Sequence, residues 1–186
     1  MAYSAWQLPY EGTNIAVLAD CHVRSDGLQF PPGLFPRLQG ADLIVTLGGM
    51  GDRRGLDQLE EIAPVLGVRG SDDEWDLRAH RTTLVLGGEG YRLGCVHDAV
   101  AAGLAKSRHP FVPVEDIELA CEHAFGGPVD VLLHAGTHRS EEGFNWRRGS
   151  ALNPGSPTLP FYGARPTFIR LKVAATGVFG QIVWVA

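Results

Sequence analysis

The chain has 186 residues and a formal net charge of −5, from 16 lysines and arginines against 21 aspartates and glutamates. This length suits one sizeable core, so we expect a single domain over residues 1–186. Hydrophobic residues make up 45% of the chain, yet no apolar run approaches the roughly 20 residues that cross a bilayer. No basic stripe or block of charge indicates nucleic acid or an anionic membrane, and we expect neither as a partner.

The cellular location is predicted from the N-terminus and the cysteines. The first six residues lack the basic segment and apolar core of a signal peptide. The cysteines, Cys21, Cys95 and Cys121, are odd in number and have no CxxC spacing, which favours reduced thiols. Both features predict a cytoplasmic protein.

The first half of the chain alternates apolar runs with one helical pattern. Buried strands are predicted at 15–19, 42–47 and 65–69, and a helix at 55–63, where leucine and isoleucine recur at helical spacing. Prolines between the first two strands allow only a short helix there. Strand, helix, strand with apolar strands is typical of parallel βαβ units.

The second half is predicted to be richer in antiparallel strands. Its elements are a hairpin of strands 82–86 and 91–96, a helix at 114–125, a strand at 129–133, and an antiparallel pair at 167–173 and 178–185 with Gly177 in the turn. We therefore expect a mixed α/β fold in which several strands end close together.

Polar groups follow four of these strands and could converge on one site. They are Asp20 with His22, Ser71 with Asp72 and Asp73, His97 with Asp98, and His134 with His138. Ligands bind beyond the carboxyl ends of strands in α/β sheets. A carboxylate and an imidazole two positions apart suit Zn²⁺, Mn²⁺ or iron. The pattern indicates a metal site, although polar residues at strand ends are also common without one.

The motifs, taken together, resemble a known family. In order they are ADCH, LIVTLGG, VRGSDD, CVHD, HAGTHR and LNPGSPTLP, and they span Ile15 to about Val173. This series resembles the calcineurin-like metallophosphoesterases, in particular the small single-domain group that includes bacterial phosphodiesterases and the phosphoesterase-like subunit of retromer. The resemblance implies a sandwich of two mixed β-sheets flanked by helices, with two metal ions at the strand ends.

The resemblance also implies which residues bind metal. Asp20 and His22 match the first ligand pair of the family, His97 matches the histidine of its fourth block, and His138 matches the second histidine of its GHTH block. Four positions depart from the pattern. Gly49 replaces the bridging Asp, Ser71 replaces a metal-binding Asn, Asp72 stands where active members often have a catalytic His, and Gly136 replaces the first GHTH His.

The departures fall unevenly on the two metals. Asp20, His22 and His138 belong to one metal, which loses only the bridging carboxylate, whereas His97 belongs to the other, which loses three ligands. The resemblance therefore implies one divalent ion, Mn, Zn, Fe or Mg, at a depleted dinuclear site. Replacement ligands could come from Asp52, Asp72, Asp73, Asp98 or His134.

Two function classes stay open. In the first, the protein is a phosphoesterase acting on a phosphorylated small molecule or a phosphodiester. His97 or Asp72 then handles protons, and Arg139 lies near the phosphate oxygens. In the second, turnover is lost and the fold recognises a ligand or a protein partner. The NPGSPTLP stretch is interpreted as a tight turn that shapes the site.

Overall fold

The structure is a computed structural model, which describes residues 4–8, 12–73 and 82–185. The strands are β1 (Ser4–Gln7), β2 (Thr13–Leu18), β3 (Leu43–Thr46), β4 (Val65–Gly67), β5 (Thr83–Gly88), β6 (Tyr91–Val96), β7 (Ala105–Ser107), β8 (Val112–Pro113), β9 (Val131–Leu133), β10 (Ser140–Asn145), β11 (Ser150–Pro154), β12 (Thr167–Ala174) and β13 (Gly177–Trp184). The helices are α1 (Leu34–Leu38), α2 (Arg53–Glu60) and α3 (Ile117–Phe125). None of the described helices is long and apolar enough to span a membrane.

Two mixed sheets form the fold, as the resemblance implied. One has six strands in the order β1-β5-β6-β9-β11-β10, and the other has five in the order β13-β12-β2-β3-β4. In the five-stranded sheet β2, β3 and β4 run parallel, while β12 joins β2 and β13 in antiparallel ladders. The fold is therefore a mixed α/β sandwich.

Strand β2 begins with Thr13 and Asn14 and continues as an unbroken apolar run from Ile15 to Leu18. Ile15 and Val17 belong to the core between the two sheets, whereas Ala16 and Leu18 belong to a second core formed with α1 and α2. Successive side chains of a strand point to opposite faces, and because both faces are covered here, all four of these residues are apolar. The chain becomes polar at Asp20, just beyond the strand.

The helices differ from the predictions at their ends because side chains cap them. Asp52 accepts a hydrogen bond from the Arg54 backbone N–H, so α2 begins at Arg53 rather than at residue 55. Asp116 does the same for Leu119 N–H at 3.0 Å, so α3 begins at Ile117, three residues later than predicted. Capping groups of this kind fix where a helix starts.

Several strands were not predicted from the sequence. These are β1, the short pair β7 and β8, the polar strand β10, and β11, which already contains the first two residues of the NPGSPTLP stretch. Gly177 was expected in a turn but pairs with Ala174, so the turn lies at residues 175–176. Strands with polar or mixed sequence lack the apolar alternation on which the prediction depended.

Candidate metal centre

The segments after β2 and β3 lie side by side. The backbone N–H of Asp20 donates to the Gly48 carbonyl at 2.9 Å, and that of His22 donates to the Gly49 carbonyl at 2.7 Å. Parallel strands bring their carboxyl ends to one edge of a sheet, so both loops open at the same place. The loop after β9 reaches this edge from the other sheet, because Gly136 donates its N–H to the Asp20 side chain at 3.0 Å.

Three potential metal ligands meet at this edge. One carboxylate oxygen of Asp20 and one ring nitrogen each of His22 and His138 lie within 4.8 Å of one another. The two imidazoles are stacked, with ring centroids 5.0 Å apart and an interplanar angle of 9°. The Asp20 side chain is buried, with 1% exposed. We call these three residues the triad.

Hydrogen bonds orient the carboxylate of Asp20. Its Oδ2 accepts the backbone N–H groups of Gly136 at 3.0 Å and His138 at 3.1 Å. Both described hydrogen bonds thus fall on one oxygen, which leaves the lone pairs of Oδ1 for a cation. A buried carboxylate is costly unless it is paired in this way.

The two histidines are also arranged as ligands. Nδ1 of His138 lies 2.7 Å from the carbonyl oxygen of Leu159, so Nδ1 carries the proton and Nε2 keeps its lone pair. Nε2 of His22 is buried and has no hydrogen-bond partner among the described residues. A buried polar atom without a partner is expensive, and coordination of a cation would satisfy it. The donor set therefore fits a divalent metal ion.

The backbone is strained at all three triad residues. Asp20 has φ +50°, His22 has φ +46° and His138 has φ +56°, and within the described ranges only Glu89 shares this property among non-glycine residues. Left-handed backbone costs about 1–3 kcal/mol for each such residue and tends to cluster at functional sites. Its coincidence with the triad is an independent indication of a site.

Side chains of the NPGSPTLP stretch position the triad through hydrogen bonds. The Ser156 hydroxyl donates to the Asp20 carbonyl at 2.7 Å and accepts the backbone N–H of Leu159 at 2.8 Å. The Thr158 hydroxyl donates to the Cys21 carbonyl. These contacts tie the turn containing Asp20 to the carbonyl that orients His138, which is the shaping role inferred from the sequence.

His97 stands next to the triad without joining it. Its Nδ1 lies 2.7 Å from the Leu47 carbonyl and 4.0 Å from Oδ1 of Asp20. Its Nε2 faces the loop after β9, because a Cβ added to Gly136 would lie 3.6 Å from that atom. At the position where the family has a further histidine, an added Cβ would thus make ordinary van der Waals contact with His97 without a clash, although Gly136 has φ +81°. Its metal-binding role stays a prediction.

Gly49, which stands where the family has the bridging carboxylate, is in a crowded position. A Cβ added to Gly49 would lie 2.9 Å from both Cα and Oδ1 of Asp20, and Gly49 has φ +67°. The neighbouring loops are held by Asp73, whose carboxylate accepts four backbone N–H groups, those of Gly49, Met50, Gly51 and Gly70. Asp73 is therefore a structural anchor of these loops.

The three other aspartates considered from the sequence as replacement ligands also have partners, whereas Nε2 of His134 is buried without a hydrogen-bond partner among the described residues. Asp52 caps α2, and Asp98 pairs with Arg108. Asp72 accepts a hydrogen bond from Ser71 at 3.2 Å at the edge of the site. The His134 ring is buried against Phe111, with centroids 4.7 Å apart, and burial lowers its pKa to about 4 despite Glu141 and Asp98 nearby.

A cavity of about 740 Å³ opens over the triad. Its described lining includes His97, Asp72 and two cations, Arg69 and Arg108, together with apolar residues such as Val96 and Ala124. Sequence reasoning missed both arginines. Arg69 precedes Gly70 within a motif that was recognised, but Arg108 lies in a loop that carries no pattern.

Arg139, predicted to lie near phosphate oxygens, has other contacts. Its Nη1 lies 2.6 Å from Nε2 of His109, and its guanidinium lies over the Phe161 ring, 4.7 Å from the centroid. It is not among the described residues that line the cavity. These contacts join the loop before β8, the loop after His138 and the loop that carries Phe161.

Comparisons with known proteins agree with this geometry. The Calcineurin-like phosphoesterase superfamily domain matches residues 14–176, and the chain belongs to this superfamily. A probable metallophosphoesterase of Methanocaldococcus jannaschii is 28% identical over 146 residues, which cover 78% of this chain and 69% of the relative. Vps29 of Chaetomium thermophilum is 26% identical with a TM-score of 0.70, covering 92% of this chain and 97% of that one. Vps29 of Entamoeba histolytica, solved with Zn²⁺, is 19% identical with a TM-score of 0.65 over 94% of this chain and all (100%) of that one, and shares the fold.

Proposed function

We propose that this protein is a phosphoesterase that works with one divalent metal ion held by Asp20, His22 and His138. The observation that carries the proposal is the convergence of one ligand atom from each residue within 4.8 Å. A carboxylate and two imidazoles suit Zn²⁺, Mn²⁺ or Fe²⁺ and leave coordination positions open. Such an ion supplies a Lewis acid for phosphoryl oxygens and activates water as a nucleophile.

The residues around the triad have complementary roles. His97 donates from Nδ1 to Leu47, so its Nε2 can accept a proton on the cavity side. Asp72 on the cavity wall is the second candidate for proton transfer. Arg69 and Arg108 line the cavity together with three aspartates, and Arg108 is paired with Asp98, so the two arginines would act as local hydrogen-bond donors to substrate oxygens. With Arg139 held by Phe161, these two arginines take the role first given to Arg139.

The cavity sets the substrate class. Its volume of about 740 Å³ lies within the range of small-molecule sites. Its lining includes both charged groups and small apolar side chains, such as Ala101 and Ala124. This combination suits a phosphodiester or phosphomonoester with an organic group of moderate size. A single domain and a cytoplasmic location remain part of the proposal.

A second candidate is a binding module without turnover. The observation that favours it is an exposed apolar loop attached to a triad residue. Leu159 is 49% exposed, Phe161 50% and Tyr162 96%, while the Phe161 N–H donates to the His138 carbonyl at 2.8 Å. Together with glycine at positions 49 and 136, this loop would suit recognition of a ligand or a protein partner.

Hydrolysis of an aryl phosphodiester and an aryl phosphomonoester, each with Mn²⁺, Zn²⁺ and Mg²⁺, tests the proposal. We expect metal-dependent turnover that falls more than about 100-fold in His138→Gln, since even outer contacts of metal ligands change activity 10–100-fold. His123→Gln, on the exposed side of α3, is the matched control and should retain full activity. Metal binding at the triad without any turnover would reject the enzyme and favour the binding module.

A further inference from the structure

Strand β13 forms an open edge of the five-stranded sheet. It pairs with β12 over its whole length, from Gly177 opposite Ala174 to Trp184 opposite Thr167, without a shift in register. On its other side the described part of the chain provides no strand. An edge of this length offers a row of backbone groups to another strand.

The ladder shows which backbone groups face outward. The Val185 N–H donates to the Pro166 carbonyl at 2.9 Å, so this position bonds inward, toward β12. Hydrogen bonding alternates along an antiparallel strand, so residues 183, 181, 179 and 177 also bond inward. The residues between them, Val178, Gly180, Ile182 and Trp184, therefore direct their N–H and C=O groups away from the sheet.

The other sheet edges are protected against pairing. Strand β10 carries Glu141 and Glu142 and has an irregular register after Glu142. Strands β4 and β1 have only three and four residues. Short length, charge and irregularity are the usual devices that prevent edge-to-edge association.

Strand β13 has none of these devices. Its sequence, GVFGQIVW, contains no charged residue and no proline. Phe179 is 56% exposed and Trp184 is 58% exposed. Of the edges in the described part of the chain, this one is long, regular, uncharged and apolar.

We propose that β13 pairs with β13 of a second copy of this chain, in an antiparallel register centred on Gln181. A two-fold axis perpendicular to the sheet keeps each face of the sheet on the same side, so residues that lie opposite each other must have numbers of the same parity. In this register Val178 lies opposite Trp184 and Gly180 lies opposite Ile182, each pair occurring twice. All four outward residues then find hydrogen-bonding partners, and the two sheets become one sheet of ten strands.

The side chains favour a second copy as the occupant. Phe179 lies opposite Val183 on one face, and Gln181 lies opposite its own equivalent at the axis, where two neutral amides meet without repulsion. The edge is thus complementary to itself in hydrogen bonding, and β13 itself contributes no charged side chain to the seam. Cations that lie near it belong to other segments: Arg165 lies over the Trp184 ring, and Arg170 lies opposite Gln181 on β12. Aromatic and β-branched residues opposite each other are favourable cross-strand pairs.

The position of Gln181 on the axis gives a sharp test. Gln181→Lys and Gln181→Glu each place two like charges opposite each other in the dimer, whereas an equimolar mixture of the two variants places lysine opposite glutamate. We expect the wild type to be a dimer in sedimentation velocity and light scattering. Each variant should dissociate at least about tenfold more readily, and the mixture should form a heterodimer.

Gln7→Lys is the matched control, because Gln7 is also an exposed glutamine on an edge strand but belongs to β1 of the other sheet. It should leave the dimer intact. Thermal unfolding of the Gln181 variants serves to check that they fold. We expect them to fold because residue 181 is exposed. A wild-type chain that stays monomeric at its highest soluble concentration would overturn the proposal. A dimer whose dissociation is unchanged in both Gln181→Lys and Gln181→Glu would also overturn it.

Discussion

Nδ1 of His138 lies 2.7 Å from the carbonyl oxygen of Leu159, and this contact presents Nε2 of the ring to the triad. Leu159 is held in turn by Ser156, whose hydroxyl accepts the Leu159 N–H at 2.8 Å and donates to the Asp20 carbonyl at 2.7 Å. One buried hydroxyl therefore orients two of the three ligands. Outer contacts of this kind tune the affinity of metal sites.

Ser156→Ala should consequently weaken metal binding without removing a ligand. We expect a loss of about 10–100-fold in metal affinity. We also expect a loss of about 1–3 kcal/mol in the free energy of unfolding, because the buried Asp20 carbonyl and Leu159 N–H lose their partner. Metal titration calorimetry and urea unfolding measure the two effects. Ser107→Ala, at a more exposed hydroxyl that donates to the His109 carbonyl, should change neither.

Asp73 should contribute to stability while its neighbour Asp72 does not. The Asp73 carboxylate accepts four backbone N–H groups from two loops, at 2.6 to 3.3 Å. Asp73→Asn turns one acceptor oxygen into a donor that faces N–H groups, so we expect unfolding to become easier by about 3 kcal/mol. Asp72→Asn, at an exposed position, should keep its unfolding free energy but reduce hydrolysis. Equal destabilisation of both variants in urea would contradict the assignment.

His134 should make the protein less stable in acid. Burial lowers its pKa from 6.5 to about 4, although Glu141 and Asp98 oppose the shift. The unfolded chain therefore takes up the proton first as the pH falls. The stability from neutral His134 is complete above the unfolded pKa of 6.5 and is lost as the pH falls toward the folded pKa of about 4.

The size of this effect follows from the shift. A difference of 2.5 in pKa corresponds to about 3 kcal/mol, of which about 2 kcal/mol should be lost by pH 5. We compare urea unfolding at pH 8 and pH 5 in the wild type and in His134→Leu, which should lose less stability than the wild type over this interval. His123→Gln, at an exposed histidine, should behave as the wild type. Identical pH dependence in all three proteins would refute this interpretation of His134.

Restoring the lost ligands should succeed at one position and fail at the other. A Cβ at Gly136 has room beside Nε2 of His97, at 3.6 Å, so Gly136→His should fold and raise the metal content above that of the wild type. Gly49→Asp should unfold or lose metal, because its Cβ would lie 2.9 Å from the Asp20 backbone. The family resemblance alone, which identifies both glycines as replacements of metal ligands, gives no reason to expect this difference.

The control for Gly136→His separates backbone strain from metal binding. Gly163 has φ +78°, close to the +81° of Gly136, and nothing lies within 4 Å of an added Cβ. Gly163→His should therefore lose a similar amount of stability, about 1–3 kcal/mol, without gaining metal. Metal analysis and thermal unfolding of the two variants provide the comparison. An unchanged metal content in folded Gly136→His would show that His97 cannot support a second site.

The sequence predicted the fold well where burial determined the pattern. Strand β6 has the predicted bounds, and β2 was found from an apolar run that two cores explain. Strand β10, SEEGFN, was missed because its pairing depends on β11 rather than on apolar alternation. Helix α3 was predicted to begin at residue 114, which is too early, because the cap at Asp116 fixes its start at Ile117.

The site could be predicted in its residue types but not in its distances. The order of the motifs predicted that Asp20, His22 and His138 lie close together, and they do so in the structure. The crowding at Gly49 and its absence at Gly136 depend on loop geometry that no motif encodes. Arg108 lines the cavity, whereas Arg139 contacts His109 and Phe161. Both positions are set by tertiary packing, which the sequence motifs do not encode.

Metal content per chain is the most direct test of a single ion at the triad. Protein loaded with Zn²⁺ or Mn²⁺ and then desalted should contain one ion per chain by elemental analysis. Asp20→Asn, His22→Gln and His138→Gln should each contain almost none, and His97→Gln should keep its ion, since His97 lies outside the triad. Two ions per wild-type chain, none at all, or full retention in the triad variants would contradict the proposed centre.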